Sequence, residues 1–173
     1  MNEQRYRAVI AWFQARPAAK RGLYLVSRGA VAGVYLLYGG LLLWLAARRQ
    51  AMVIPAALVP AAAFWTGSAL RSYLDRPRPY TALRYQPLFP KKEKGRSMPS
   101  RHCFSAAAIA VVAAYCNPAL GAVLAVLALL IAVSRVVTGV HYISDVLAGL
   151  AFGSGFALVG WQLYGLVVRA LLG

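Results

Sequence analysis

Two stretches of this sequence, residues 22–47 and 51–70, carry Arg28 as their only charge, and further apolar stretches follow at 102–116, 119–138 and from 142 towards the C-terminus. About 20 apolar residues are what an α-helix needs to cross roughly 30 Å of hydrocarbon. Inside a bilayer every backbone N–H and C=O must be satisfied within the protein, and uninterrupted runs of this length do that as helices. The composition agrees: 61% of the 173 residues are hydrophobic and only 13% are charged, which excludes a disordered tail and argues against an ordinary soluble domain. The expected fold is therefore all-α, an integral membrane bundle of five transmembrane helices with an N-terminal amphipathic surface helix.

That surface helix is expected over residues 1–21, where Tyr6, Val9, Ile10, Trp12 and Phe13 sit among five Arg and Lys side chains. Its apolar part is too short to span and lacks the features of a signal peptide. Residues 22–173 then form one membrane domain, with Pro55 and Pro60 expected to kink the second span. Arg28 is placed near one end of the first span, its head snorkelling to the surface. Residues 71–101 make the one long polar connection, with nine Lys/Arg against Asp75 and Glu93 and five prolines. Gly149, Gly153 and Gly155 give the last helix a small-residue face for close packing. Cys103 and Cys116 fall on one helix about 20 Å apart, too far for a disulfide.

A formal charge of +15, from 19 Lys+Arg against 4 Asp+Glu, needs a partner. Nucleic acid is a poor one, because the cations are scattered between membrane segments. Anionic lipid headgroups and a phosphorylated substrate remain. Three polar clusters at helix ends narrow this. Arg71 and Arg78-Pro79 close the second span, and two guanidiniums there can converge on a tetrahedral oxyanion or simply anchor the helix in headgroups. Pro99-Ser100-Arg101-His102 opens the third, where Ser100 can cap a helix start whose free N–H groups attract anions. The plain alternative is a capped helix with an interfacial histidine. Ser134-Arg135, His141 and Asp145 join the last two spans. There the carboxylate four residues on can orient one imidazole nitrogen and leave the other nucleophilic.

Following the chain through the membrane puts all three clusters on one face. This pattern resembles the type 2 phosphatidic acid phosphatase superfamily, integral-membrane lipid phosphatases related to the vanadium haloperoxidases. Its signature is Lys-x6-Arg-Pro, Pro-Ser-Gly-His and Ser-Arg-x5-His-x3-Asp. Here it reads Arg71-x6-Arg78-Pro79, Pro99-Ser100-Arg101-His102 and Ser134-Arg135-x5-His141-x3-Asp145. Arg71 stands for the usual lysine and Arg101 for the usual glycine, and the commonest members have six spans. The resemblance implies that His141 attacks phosphorus to give a phosphohistidine while Asp145 orients it. His102 would protonate the leaving oxygen and then activate water. Arg71, Arg78, Ser100, Arg101 and Arg135 would hold the phosphoryl oxygens. No metal or other cofactor is expected, since two histidines and four acidic residues are too few and too spread for a two-metal centre.

The implied substrate is a lipid phosphate or diphosphate. A slender tail suits so small a protein and favours undecaprenyl diphosphate, with phosphatidylglycerophosphate, phosphatidate and a prenyl-phosphoryl sugar phosphate as alternatives. A lipid-phosphate transporter or an inactive scaffold are rival classes. The expected location is the bacterial cytoplasmic membrane. Outside the site, twelve Lys/Arg lie on the active face and three, Arg48, Arg49 and Arg169, on the other, a bias that favours a cytoplasmic mouth.

Overall fold

The computed structural model describes residues 2–172, and every regular element among them is helical. In chain order these are α1 (Glu3–Gln14), α2 (Pro17–Ala47), α3 (Val53–Leu74), the single turn α4 (Pro79–Ala82), α5 (Arg101–Cys116), α6 (Pro118–Val137) and α7 (Ile143–Leu172). Met1 and Gly173, the outer ends of the two expected segments, lie outside the described residues.

Four helices, α2, α3, α6 and α7, are long and apolar enough to cross a membrane. The fifth expected span, α5, has 16 residues and so reaches only about 24 Å. It is cut off by Ser100 on one side and by Asn117, whose side chain caps α6 at the Leu120 N–H, on the other. Its place explains how so short a helix is accommodated: α5 packs against α2, α3, α6 and α7 and forms the centre of the bundle. Its middle, from Cys103 to Ala113, is buried except for the half-buried Val111. Five alanines within that stretch, at 106–108, 110 and 113, keep the helix thin enough to be surrounded.

The glycines of α7 do the same from the other side. A Cβ on Gly153 would collide with the Phe104 carbonyl, and one on Gly149 would lie 2.9 Å from the Ser100 oxygen. Gly155, expected to extend this face, points into open space. On the outside, Leu36, Leu43, Trp65 and Leu171 are exposed and form the apolar surface that a bilayer would cover. Pro55 sits in the first turn of α3, where its missing N–H is no loss, and Pro60 is carried inside an unbroken helix.

The N-terminal boundary differs from expectation. α1 ends at Gln14, and Pro17 starts a new helix, so residues 17–21 belong to α2. Proline at the first helical position is preset for the turn, which makes Pro17 a start signal. α2 then runs for 31 residues, about 46 Å, well beyond what the hydrocarbon requires. α1 lays Tyr6 and Ile10 on a second small core made with Tyr80, Tyr85, Leu88 and Val140. Here, outside the spans, removal of apolar area from water contributes about 2 kcal/mol per large side chain. Within the spans helix association rests on close packing instead.

Candidate active site

The chain brings its polar clusters together through the ends of α3, α5, α6 and α7 and through the connection between α4 and α5. α3 stops where Asp75 turns left-handed (φ 32°) just before Arg76-Pro77. The connection that follows is tied to the rest of the molecule at several points. Leu88 N–H donates to the Thr138 carbonyl (3.1 Å), Ser97 N–H to the Arg76 carbonyl (2.8 Å), and Arg78 N–H to the Lys94 carbonyl (3.1 Å). Both cysteines lie on α5 and are free.

A cavity of about 200 Å³ results, lined by Arg71, Arg78, Arg101, Arg135, His102 and His141 together with Lys91, Glu93 and Val140. Six of the eight residues singled out in the sequence thus share one wall. Arg71 and Arg78 are 6% and 5% exposed, so their guanidiniums are held inside the protein rather than spread into headgroups. The Arg135 Nε is buried and has no hydrogen-bond partner among the described residues.

His141 lies in the turn between α6 and α7 and is 2% exposed. Its N–H donates to the Arg135 carbonyl (3.3 Å), and its own carbonyl accepts from the Tyr6 hydroxyl (3.1 Å). Its Nδ1 faces the Asp145 Oδ2 at 3.5 Å and the Ser97 hydroxyl at 3.4 Å. Burial holds the imidazole below its ordinary value, opposed by the Asp145 carboxylate and reinforced by the Arg78 and Arg71 charges. Nε2 makes no hydrogen bond among the described residues, the arrangement expected of a neutral nucleophile.

Asp145 is 0% exposed and does not line the cavity. It stands behind His141, its carboxylate fully engaged by the Ser97 hydroxyl, the Tyr142 N–H (3.0 Å) and Arg76 Nη1 (2.8 Å). Ser100 departs from expectation. It occupies the N-cap position of α5, but its hydroxyl caps nothing and is buried without a partner. Its N–H is taken by the Asp145 carbonyl (2.9 Å). The first-turn N–H groups of α5 therefore have no side-chain cap.

Four further residues were not singled out in the sequence. Arg76 pairs with Asp145, donates to Ser144 Oγ (2.9 Å) and stacks on the Tyr142 ring at 4.3 Å. Ser97 bridges Asp145 and His141. Glu93 pairs with Arg78, setting a carboxylate where a phosphoryl oxygen would compete for the same guanidinium. Tyr6 braces the His141 turn, and burial, followed by the neighbouring Tyr142 and Asp145, pushes its phenol up to about 12, so it stays a donor. A signal existed for Arg76: a buried acid needs a cation, and Arg76 lies inside the first motif. Ser97 had no local signal, and the apolar stripe that holds Tyr6 gave none for a place at the site. Among the described residues, no three His, Cys, Asp or Glu side chains come together as a metal site requires.

Comparison with solved structures places this architecture among known ones. The transmembrane PAP2-type phosphatidylglycerolphosphate phosphatase from Bacillus subtilis matches with a TM-score of 0.71 at 21% identity, over 94% of this chain and 84% of that one. LpxE from Aquifex aeolicus matches with a TM-score of 0.71 at 26% identity, over 93% of this chain and 94% of that one. No curated protein matches by sequence. The family model of the PAP2 superfamily matches residues 52–169, a span that includes all three polar clusters, and the chain belongs to that superfamily.

Proposed function

We propose that the protein hydrolyses a phosphate or diphosphate group of a membrane lipid through a phosphohistidine on His141, without a metal. The observation that carries this reading is the single cavity in which four arginines surround the open edges of both histidines. The Nε2 of His141 attacks phosphorus, and the carboxylate of Asp145, held by Ser97 and Arg76, keeps Nδ1 facing inward. His102 gives its proton to the leaving oxygen. It then takes a proton from water, which attacks the phosphohistidine and releases inorganic phosphate. Arg71, Arg78, Arg101 and Arg135, with the α5 N–H groups and the Ser100 hydroxyl, stabilise charge on the three equatorial oxygens.

Undecaprenyl diphosphate is the preferred substrate on this reading. Phosphatidylglycerophosphate, phosphatidate and a prenyl-phosphoryl sugar phosphate complete the panel to be tried. The protein is placed in the bacterial cytoplasmic membrane, with α1 on the membrane surface and the cavity towards the cytoplasm. A reporter fused after Gly173 tests the orientation, since the C-terminus lies on the opposite side. The enzymatic test is phosphate release from the panel in detergent with chelator present. Turnover that persists in chelator, is blocked by vanadate and vanishes in His141→Ala supports the reading. Activity that survives in that variant removes His141 as the nucleophile.

A further inference from the structure

A second cavity, also of about 200 Å³, adjoins the first and shares His102, Arg135, Lys91 and Val140 with it. It extends away from His141, towards Tyr24, Arg28 and Val31 of α2 and Phe89 of the connection. Its charge is unbalanced. The chain has four acidic residues, and each is engaged elsewhere: Glu3 with Arg7, Asp75 with the Arg96 N–H, Glu93 with Arg78, and Asp145 with Arg76. No carboxylate is left for the partly buried Arg135, nor for Arg28 and Lys91, which line the cavity from exposed positions. Among the described residues Arg28 has only the Tyr24 ring beneath it, at 5.5 Å.

The position of this cavity relative to the reacting atoms gives the charge a meaning. In an in-line displacement the leaving oxygen lies opposite the attacking nitrogen. His141 belongs to the first cavity only, while His102, the proposed acid, stands in the wall between the two. The leaving group therefore departs into the second cavity. An uncharged alcohol has no use for three cations there, whereas a second phosphate does.

We infer that the second cavity is a subsite for an anionic leaving group, with Arg28 and Lys91 binding a phosphate that stays on the lipid while the terminal phosphoryl group is transferred. This rests on the lipid phosphatase reading above and narrows it to lipids carrying a phosphate on the leaving side. In a diphosphate, the bond from the terminal phosphorus to the bridging oxygen breaks as the bond to His141 forms. The bridging oxygen takes the His102 proton and leaves as the lipid monophosphate. Water then returns a proton to His102 and adds its hydroxyl to phosphorus as the bond from phosphorus to His141 Nε2 breaks, giving inorganic phosphate. The Tyr24, Val31 and Phe89 side chains meet the first carbons of the tail.

The test compares kcat/KM for a prenyl diphosphate, phosphatidylglycerophosphate and phosphatidate in a neutral detergent, for wild type, Arg28→Gln and Arg28→Lys. Arg28→Gln is expected to lower the diphosphate-to-phosphatidate ratio by about tenfold or more, the worth of one charged hydrogen-bonded contact. Arg28→Lys is expected to restore most of it. A parallel fall for phosphatidylglycerophosphate means that a second phosphate one glycerol away also reaches the subsite. An unchanged ratio, or an equal loss on all three substrates that follows added anionic lipid, overturns the inference and makes Arg28 a headgroup anchor. Wild type that cleaves phosphatidate but not the diphosphate overturns it as well. Wild type that cleaves none of the three defeats the broader phosphatase reading instead.

Discussion

The two histidines stand in opposite kinds of surroundings. His141 is gripped everywhere but at Nε2: its N–H, its carbonyl and its Nδ1 face the Arg135 carbonyl, the Tyr6 hydroxyl, Ser97 and Asp145. His102 makes no side-chain hydrogen bond among the described residues and lies between two cavities. A group that forms a covalent bond to phosphorus must be aimed before the substrate arrives, because small misplacement is costly. A group that first gives and then takes a proton must reach two partners in turn, and a fixed hydrogen bond would hinder that.

The largest effect is expected at the gripped side: His141→Ala should lower kcat by at least about a thousandfold with every substrate, because no other group can take over the covalent step. His102→Ala should cost about a hundredfold to ten-thousandfold with a lipid substrate. With p-nitrophenyl phosphate, whose leaving group needs no proton, that loss should shrink markedly, whereas the His141→Ala loss should not. Equal losses in the two variants on both substrates would remove the division of labour.

Arg76→Gln leaves Asp145 buried without its cation. Arg76 is about one-third exposed, so the cost belongs at the low end of the range for a broken buried pair, about 2 kcal/mol. It is read as a lower unfolding midpoint in detergent, and an unchanged midpoint would make the ion pair incidental. Tyr6→Phe removes one brace from the His141 turn and should lower kcat about threefold or more while leaving KM near its wild-type value, the worth of about one hydrogen bond. The mildest test is pH. With His141 held below its ordinary value by burial, the neutral nucleophile persists as pH falls. An imidazole titrating near 6.5 would leave only about a tenth of kcat/KM at pH 5.5, and a lowered one leaves a larger share. An acid limb at or above the ordinary value would contradict the burial argument.

How far the sequence carried the site follows from where each residue's position is set. Arg71, Arg135, His102 and Asp145 are fixed by helix phase close to a helix end, and His141 and Arg78 lie within a few residues of one, so spacing alone grouped them. Ser97 and Glu93 reach the site because a polar connection folds back, held by hydrogen bonds between residues as distant as Leu88 and Thr138. Spacing has nothing to say about such contacts. Tyr6 is an intermediate case: its stripe with Ile10 was visible, but the stripe covers Tyr85 and Val140 of the protein itself. The short α5 was visible too, yet only its neighbours explain how a helix of that length is housed.

The glycine contacts between α5 and α7 constrain traffic as well as packing. With the backbone at Gly149 and Gly153 pressed against Ser100 and Phe104, the two helices cannot part beside the site without separating the elements that carry His102 and Asp145. On the proposed reading a lipid tail enters from another quarter of the bundle, beside the second cavity, which α2 helps to line. A cysteine staple joining α5 to α7 should therefore be silent in turnover, while one clamping α2 to the connection beside Phe89 should behave like a cork.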